Sequence, residues 1–304
     1  MKEKLLTKEI AEQFVAGKID SLDEFTSIEN NAAQALGFFK GDPLSLNGLT
    51  SLSAETAKIL ASFKRRGDLY LAGLINLTDE VAMALSPFKG YWLDLDGLTS
   101  ITDESAKALA SVKVTHLYLN GLRSITAVTA KALATVKAES LFLNGLTNLS
   151  EEVAKALASF NGLALSLNGQ TNLAEGTAKA LATFTGSLYL NGLTSLTATS
   201  AKALASCNAC SLMLNGLNNL SDEAANALAS FRGTGSLQLN GLASLSDKAA
   251  KALASAKFDE LWLNGLTSLS DKAAKALASR EDSVFVPDGL KNYEDAVSSN
   301  HGRP

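Results

Sequence analysis

Hydrophobic residues fall along the chain in a recurring phrase, read most plainly in SLYLNGLTSLTATSAKALA, Ser187 to Ala205. Two Leu one residue apart precede a polar residue and Gly; a second apolar pair follows, then Ser or Thr, then an Ala-rich stretch holding a Leu. The first Leu of the phrase stands at Leu44, Leu69, Leu93, Leu117, Leu141, Leu165, Leu188, Leu212, Leu237 and Leu261, a period of 23 to 25 residues. Ten repeats at a fixed period override the two domains that length alone would predict, because stacked repeats extend one continuous core.

Within a repeat, L-x-L closed by a polar residue and Gly is a period-2 pattern ending in a turn signal. It predicts a short strand with both Leu facing inward. After the second pair, such as Leu193 and Leu196, comes Ser or Thr in nine of ten repeats, Ala174 being the exception. These hydroxyls are predicted N-caps of a short helix whose inward face carries Ala201 and Leu204 and their equivalents, with the Lys202 column in solvent. A further column is Ser or Asn in every repeat, from Ser51 and Asn76 through Ser195 to Ser268, and is read as a ladder that satisfies turn backbone groups.

Such a unit cannot bury its own apolar face and must stack. Strands stack at about 4.8 Å whereas helix axes prefer about 8 to 10 Å, so the strand side is expected to be concave. Open ends need caps. Residues 1–43 are expected to form an N-terminal helical cap with an incomplete repeat, 44–282 the ten repeats, and 283–304 a last strand-like layer, VFVPDGL, and a tail. Arg280 stands in the column that elsewhere holds Phe63, Phe88, Val112, Phe160 and Phe184.

The phrase LYLNGLTSLTATSAKALA resembles a bacterial type of leucine-rich repeat over residues 44 to 280. The resemblance implies an α/β leucine-rich-repeat solenoid, an arc with short parallel strands on the concave face and short α-helices on the convex face. It departs from the commonest pattern, L-x-x-L-x-L-x-x-N-x-L, because Leu193 stands where Asn would, and GLTSLS is closer to bacterial surface-antigen repeats. What the fold implies by analogy is a non-enzymatic scaffold that binds a protein or peptide on its concave face.

With both Leu of each strand inward, the residues before, between and after them face the concavity. The middle column reads Ser45, Tyr70, Asp94, Tyr118, Phe142, Ser166, Tyr189, Met213, Gln238 and Trp262, and the preceding column includes Asp68, Trp92, His116, Ser140 and Glu260. Aromatic residues on a solvent face add nothing to the core, and their recurrence there points to a binding surface; cross-strand packing is the competing reading. The third outward column is Asn in eight of ten repeats, always followed by Gly, and is read first as a turn signal. The primary candidate site is Asp68, Tyr70, Trp92, Asp94, Asp96, His116, Tyr118 and Phe142, with a secondary patch of Tyr189, Met213 and Trp262.

No Lys or Arg stands among these outward positions, so a basic or apolar partner is expected. A net charge of -4 gives no general affinity for nucleic acid or anionic membranes. Nothing approaches 18 consecutive apolar residues, and the charged start MKEKLLTKEIAEQFVAG is unlike a signal peptide, so a cytoplasmic monomer is expected, with export by a specialised secretion system left open. Two Cys fit a reducing compartment.

Catalytic and metal chemistry is weakly signalled. His116 and Ser140 share a column on neighbouring strands with Asp94 diagonal, but no oxyanion hole is identifiable. CNAC, Cys207 to Cys210, lacks a second ligand pair, and Cys207 falls in the core column of Phe160 and Phe184. Asp94 and Asp96 fall short of a calcium ligand set. No cofactor, metal or enzymatic activity is expected. Carbohydrate or small-ligand binding through the aromatics, or a purely structural role, are the alternatives.

Overall fold

The computed structural model describes residues 3–63, 67–207, 211–280, 283–287 and 290. Cys210 and the tail after 290 lie outside them. The strands are β1 (Leu5–Leu6), β2 (Ser27–Ile28), β3 (Leu44–Ser45), β4 (Leu69–Tyr70), β5 (Lys89–Asp94), β6 (Lys113–Tyr118), β7 (Ser140–Phe142), β8 (Ala164–Ser166), β9 (Ser187–Tyr189), β10 (Leu212–Met213), β11 (Ser236–Gln238), β12 (Glu260–Trp262) and β13 (Val284–Phe285). The helices are α1 (Lys8–Val15), α2 (Asn30–Leu36), α3 (Ala54–Ala61), α4 (Asp79–Leu85), α5 (Asp103–Leu109), α6 (Ala127–Leu133), α7 (Glu151–Leu157), α8 (Glu175–Leu181), α9 (Ala198–Ala205), α10 (Asp222–Leu228), α11 (Asp247–Ala254) and α12 (Asp271–Ala278).

Strand and helix alternate as the period requires. Two compact units divide the chain, residues 1–147 with 159–165 and residues 148–158 with 166–304. In the first, Leu44, Leu69, Leu93, Leu117 and Leu141 pair in parallel register. In the second, Leu188, Leu212, Leu237, Leu261 and Val284 do the same. One repeat shows the core: Leu93, Leu95, Leu98, Ala106 and Leu109 are fully buried, each Leu contributing about 2 kcal/mol of transfer free energy. The invariant Ala column is fully buried from Ala57 to Ala250, where a larger side chain would hold neighbouring helices apart. Only in α12 does its member, Ala274, become partly exposed.

The Asn-Gly turn proves to be the closest joint between repeats. Leu98 N–H closes the turn on the Leu95 carbonyl, and Leu122 on Leu119, as i to i+3 bonds. Asn side chains of this turn then reach the next repeat. The Asn120 Oδ1 accepts from the Asn144 N–H at 3.0 Å, and in the second unit Asn168, Asn191, Asn215 and Asn240 accept in turn from the N–H groups of Asn191, Asn215, Asn240 and Asn264 at 2.8 to 3.0 Å. The following Gly is needed for space. A Cβ at Gly121 would lie 2.1 Å from the Asp96 carbonyl oxygen, and one at Gly216 2.0 Å from that of Asn191. Among the described residues Gly17 alone has a positive φ, so these turn glycines answer to close approach and not to left-handed geometry. The side-chain ladder expected at the Ser51 to Ser268 column therefore runs through the Asn column instead, while the Ser and Asn of that column are exposed.

Helices of seven or eight residues are too short to hold themselves, and their caps are shared between repeats. The predicted N-cap hydroxyls of Ser53, Thr78, Thr102, Thr126, Ser150, Thr197, Ser221, Ser246 and Ser270 all accept from the backbone N–H three residues on, and Ala174 caps nothing. Several also donate back to the first helical residue of the preceding repeat: Thr126 to Asp103 at 2.6 Å, Thr102 to Asp79, Ser246 to Asp222 and Ser270 to Asp247. Hydrogen bonds from Thr102 and Ser105 to Asp79, and from Thr126 and Thr129 to Asp103, hold both carboxyls below the usual range.

The ends use the same devices. Asp23 takes the place of an Asn one repeat before the first, accepting from the Asn47 N–H at 3.1 Å, so repeat geometry begins inside the N-terminal segment. β1 and β2 pair there as a separate parallel ribbon. At the other end the Arg280 guanidinium lies 4.7 Å over the Phe258 ring and donates to the carbonyls of Ala256 and Phe258 at 2.7 and 2.5 Å. Among the described residues no helix is long and apolar enough to cross a membrane.

Among the repeat helices α3 to α12, α8 alone lacks a side-chain N-cap, at Ala174. Ala174→Ser is expected to stabilise the fold by about 0.5 to 2 kcal/mol, read as a raised midpoint in urea denaturation. No gain would mean that caps do not limit the helices of this stack.

Candidate functional site

The register of β4 to β7 sets the sequence-predicted residues into two adjacent columns. Tyr70, Asp94, Tyr118 and Phe142 occupy one, and Trp92, His116 and Ser140 the other. A strand spacing of about 4.8 Å brings the rings of neighbouring strands within contact distance of one another. Tyr118 and Phe142 stack at 4.4 Å with planes 5° apart. Trp92 lies 6.2 Å from Tyr70, 5.8 Å from Tyr118 and 5.8 Å, edge-on, from His116, which is itself 6.0 Å from Phe142. The five rings make one cluster, each such pair worth about 0.5 to 1.5 kcal/mol beyond its buried area. Cross-strand packing thus accounts for part of the pattern. It does not account for Trp92, which remains 38% exposed at the centre of the cluster.

Carboxylates border the rings. The Tyr70 hydroxyl donates to Asp68 Oδ2 at 3.3 Å, and the Tyr70 phenol is pushed up to about 12 by burial first and by the Asp68 charge second. Burial likewise raises Tyr118, with Asp94, Asp96 and Asp68 adding to it. Asp94 itself titrates above the usual carboxylate range, mainly through burial and further through the Asp96 charge, against the opposing hydrogen bond from the Asp96 N–H at 2.9 Å. Asp96, which stands in the Asn column, is occupied by the ladder: its two oxygens accept from the N–H and Nδ2 of Asn120 at 2.8 and 3.0 Å. At neutral pH the site therefore offers protonated phenols and ring faces beside negative charge.

The catalytic geometry weighed from sequence is not assembled. His116 pairs in register with Ser140, but the His116 Nδ1 is buried without a hydrogen-bond partner among the described residues, and Ser140 is itself buried. Cys207 is buried in the core column and its thiol lies 3.3 Å from the Phe184 carbonyl oxygen.

The secondary patch divides. Tyr189, Met213, Gln238 and Trp262 fall on successive strands, so two rows separate Tyr189 from Trp262. Met213, expected at the surface, is only 7% exposed between Tyr189 and Gln238 in the register. Trp262 instead stacks on Phe285 at 4.1 Å and donates from Nε1 to Glu260 Oε2 at 2.9 Å. Phe285 escapes a reading that stops its columns at the tenth repeat, although Val284-Phe285-Val286 carries the same inward, outward, inward pattern. Tyr91, 52% exposed, is missed because β5 and β6 start four residues before the Leu, well ahead of the other strands.

No protein-family model matches the sequence, and no curated protein sequence does. Among solved structures the chain is similar to one from the yeast Rad7–Elc1 complex, at 18% identity over 93% of this chain and 90% of that one with a TM-score of 0.41. It is similar also to an internalin, InlF, from Listeria monocytogenes, at 15% identity over 88% and 81% with a TM-score of 0.46. A chain of the Drosophila Toll–Spätzle complex matches at 12% identity over 73% of this chain and 36% of that one, with a TM-score of 0.45. The class rests on the chain's own geometry. Parallel strands and short helices alternating with one period around a leucine core give this chain an α/β leucine-rich-repeat fold.

Because the Asp94 pKa is raised on folding, its charge opposes stability above that pKa and the opposition disappears as pH falls through it. Asp94→Asn is expected to raise the thermal midpoint at pH 7 and to leave it unchanged near pH 3 relative to wild type. A lowered midpoint at pH 7 would show instead that the carboxylate is held by a favourable partner.

Proposed function

We propose that the protein is a non-enzymatic scaffold that binds a protein or peptide, basic or apolar, on the face formed by Asp68, Tyr70, Trp92, Asp94, Asp96, His116, Tyr118 and Phe142. The observation that carries the reading is Trp92, held by three ring contacts from the two flanking strands yet left 38% exposed beside Asp94 and Tyr118. A rigid, part-exposed Trp is the kind of side chain that dominates binding energy when a partner desolvates it. Neighbouring carboxylates add attraction for Lys or Arg, whose cations also favour the faces of Trp and Tyr.

Sugar stacking on the same aromatics is the second reading. The parallel Tyr118–Phe142 pair turns two ring faces toward each other and so leaves less open face for a sugar. Tyr189 and the Trp262–Phe285 pair are further outward rings in the second unit and belong to the proposal as separate contacts.

Trp92→Ala with Tyr118→Ala is expected to weaken partner capture from lysate about 30-fold or more, on the scale of a hot-spot loss, while far-UV circular dichroism stays as in wild type. Capture undiminished by the double variant would contradict the assignment. Glycan binding with no protein captured would favour the sugar reading.

A further inference from the structure

Four residues before the first strand Leu, five successive repeats carry Lys40, Arg65, Lys89, Lys113 and Lys137 and the tenth carries Lys257, whereas the four between carry Asn161, Asn208, Gly233 and, where the period shortens to 23 residues, the core residue Phe184. Lys40, Lys89, Lys113, Lys137 and Lys257 are exposed and belong neither to the caps nor to the aromatic site. Arg65 lies outside the described residues. Lys89, Lys113 and Lys137 each directly follow a buried anchor, Phe88, Val112 or Val136. Lys89 opens β5 and Lys113 opens β6; the register sets Lys89 beside Lys113, and Lys113 beside Lys137.

All three are exposed, and among the described residues no carboxylate forms an ion pair with any of them. They line a cavity of about 410 Å³ together with Tyr91, Thr115 and Glu139. Like charges on adjacent strands, about 4.8 Å apart along the stack, work against folding. Their recurrence on adjacent strands concentrates exposed positive charge along one line, which complements an acidic surface.

We propose that this stripe is a second interaction surface, distinct from the aromatic face, which takes the acidic side of a helix in a protein partner. Side chains three and four residues apart on a helix lie about 5 to 6 Å from one another, close to the strand spacing of about 4.8 Å. Seven residues rise about 10.5 Å, close to two strand spacings, and the flexible lysine stems absorb the difference. The three lysines span only about two strand spacings, about 10 Å, which matches two turns of a helix more closely than the length of an extended polyanion. The stripe offers room for a line of charge, not for a charged sheet.

The probe is a fluorescent peptide of about 20 residues, rich in Ala for helicity, with Glu at i, i+4 and i+7 along one face. Its control has the same composition with Glu scattered around the helix. Anisotropy is expected to show the one-faced peptide bound, with affinity falling as salt rises from about 50 to about 200 mM. Affinity should fall about tenfold or more in Lys89→Gln/Lys113→Gln/Lys137→Gln, less in Lys113→Gln alone, and not at all in Trp92→Ala/Tyr118→Ala. No binding, equal binding of both peptides, or unchanged affinity of the triple variant would overturn the proposal. So would tighter binding of an oligothymidylate or of phosphatidylserine vesicles, or self-association of the wild type that the triple variant abolishes. Because the aromatic double variant keeps the lysines, loss of one surface is distinguishable from loss of the other.

Discussion

The backbone contact at the Asn-Gly turn is the constraint on which the rest depends. Where Gly121 passes within van der Waals distance of the Asp96 carbonyl, no side chain fits, and the Asn ladder bonds one repeat to the next at the same place. Once that joint fixes the strand spacing, the Leu of each repeat fall into register, the small Ala column lets the helices follow, and the cap hydroxyls reach back to the preceding repeat. Beside the backbone ladder of the strands, the side-chain hydrogen bonds between repeats come from polar residues that read, one repeat at a time, as local turn and cap chemistry.

A joint made this strictly leaves other positions unconstrained. The middle strand residue contributes its backbone to the sheet while its side chain packs only against other outward side chains, so Tyr, Asp, Phe, Ser, Gln and Trp all occur there. Variation at such a place is compatible with any fold-neutral drift, but its clustering is not uniform: five rings and three carboxylates gather on β4 to β7. The raised Tyr70 and Asp94 pKa values record the burial that the cluster imposes on groups which the core does not need.

Most of the repeat was legible in the sequence because periodicity states which residues share an environment. The inward Leu, the nine hydroxyl caps and the missing cap at Ala174 all follow from columns. Columns do not say how far a backbone bond reaches, which is why the ladder was expected at Ser195 and its equivalents and lies at Asn191 and its equivalents. Nor do they report where a strand departs from the average. The early start of β5 and β6, which exposes Tyr91 and aligns Lys89 with Lys113, depends on local pairing, and the burial of Met213 and the stacking of Trp262 on Phe285 depend on the size of neighbouring side chains.

Native-state hydrogen exchange at the amides of Asn120, Asn144, Asn191, Asn215, Asn240 and Asn264 tests the joint directly. Each N–H is bonded to the side chain of the residue one repeat earlier, and should be protected to the same degree as the strand Leu amides, with exchange only through opening of the stack. Exchange at the rate of a solvent-exposed turn, with the Leu amides still protected, would contradict the claim that this turn holds the repeats together.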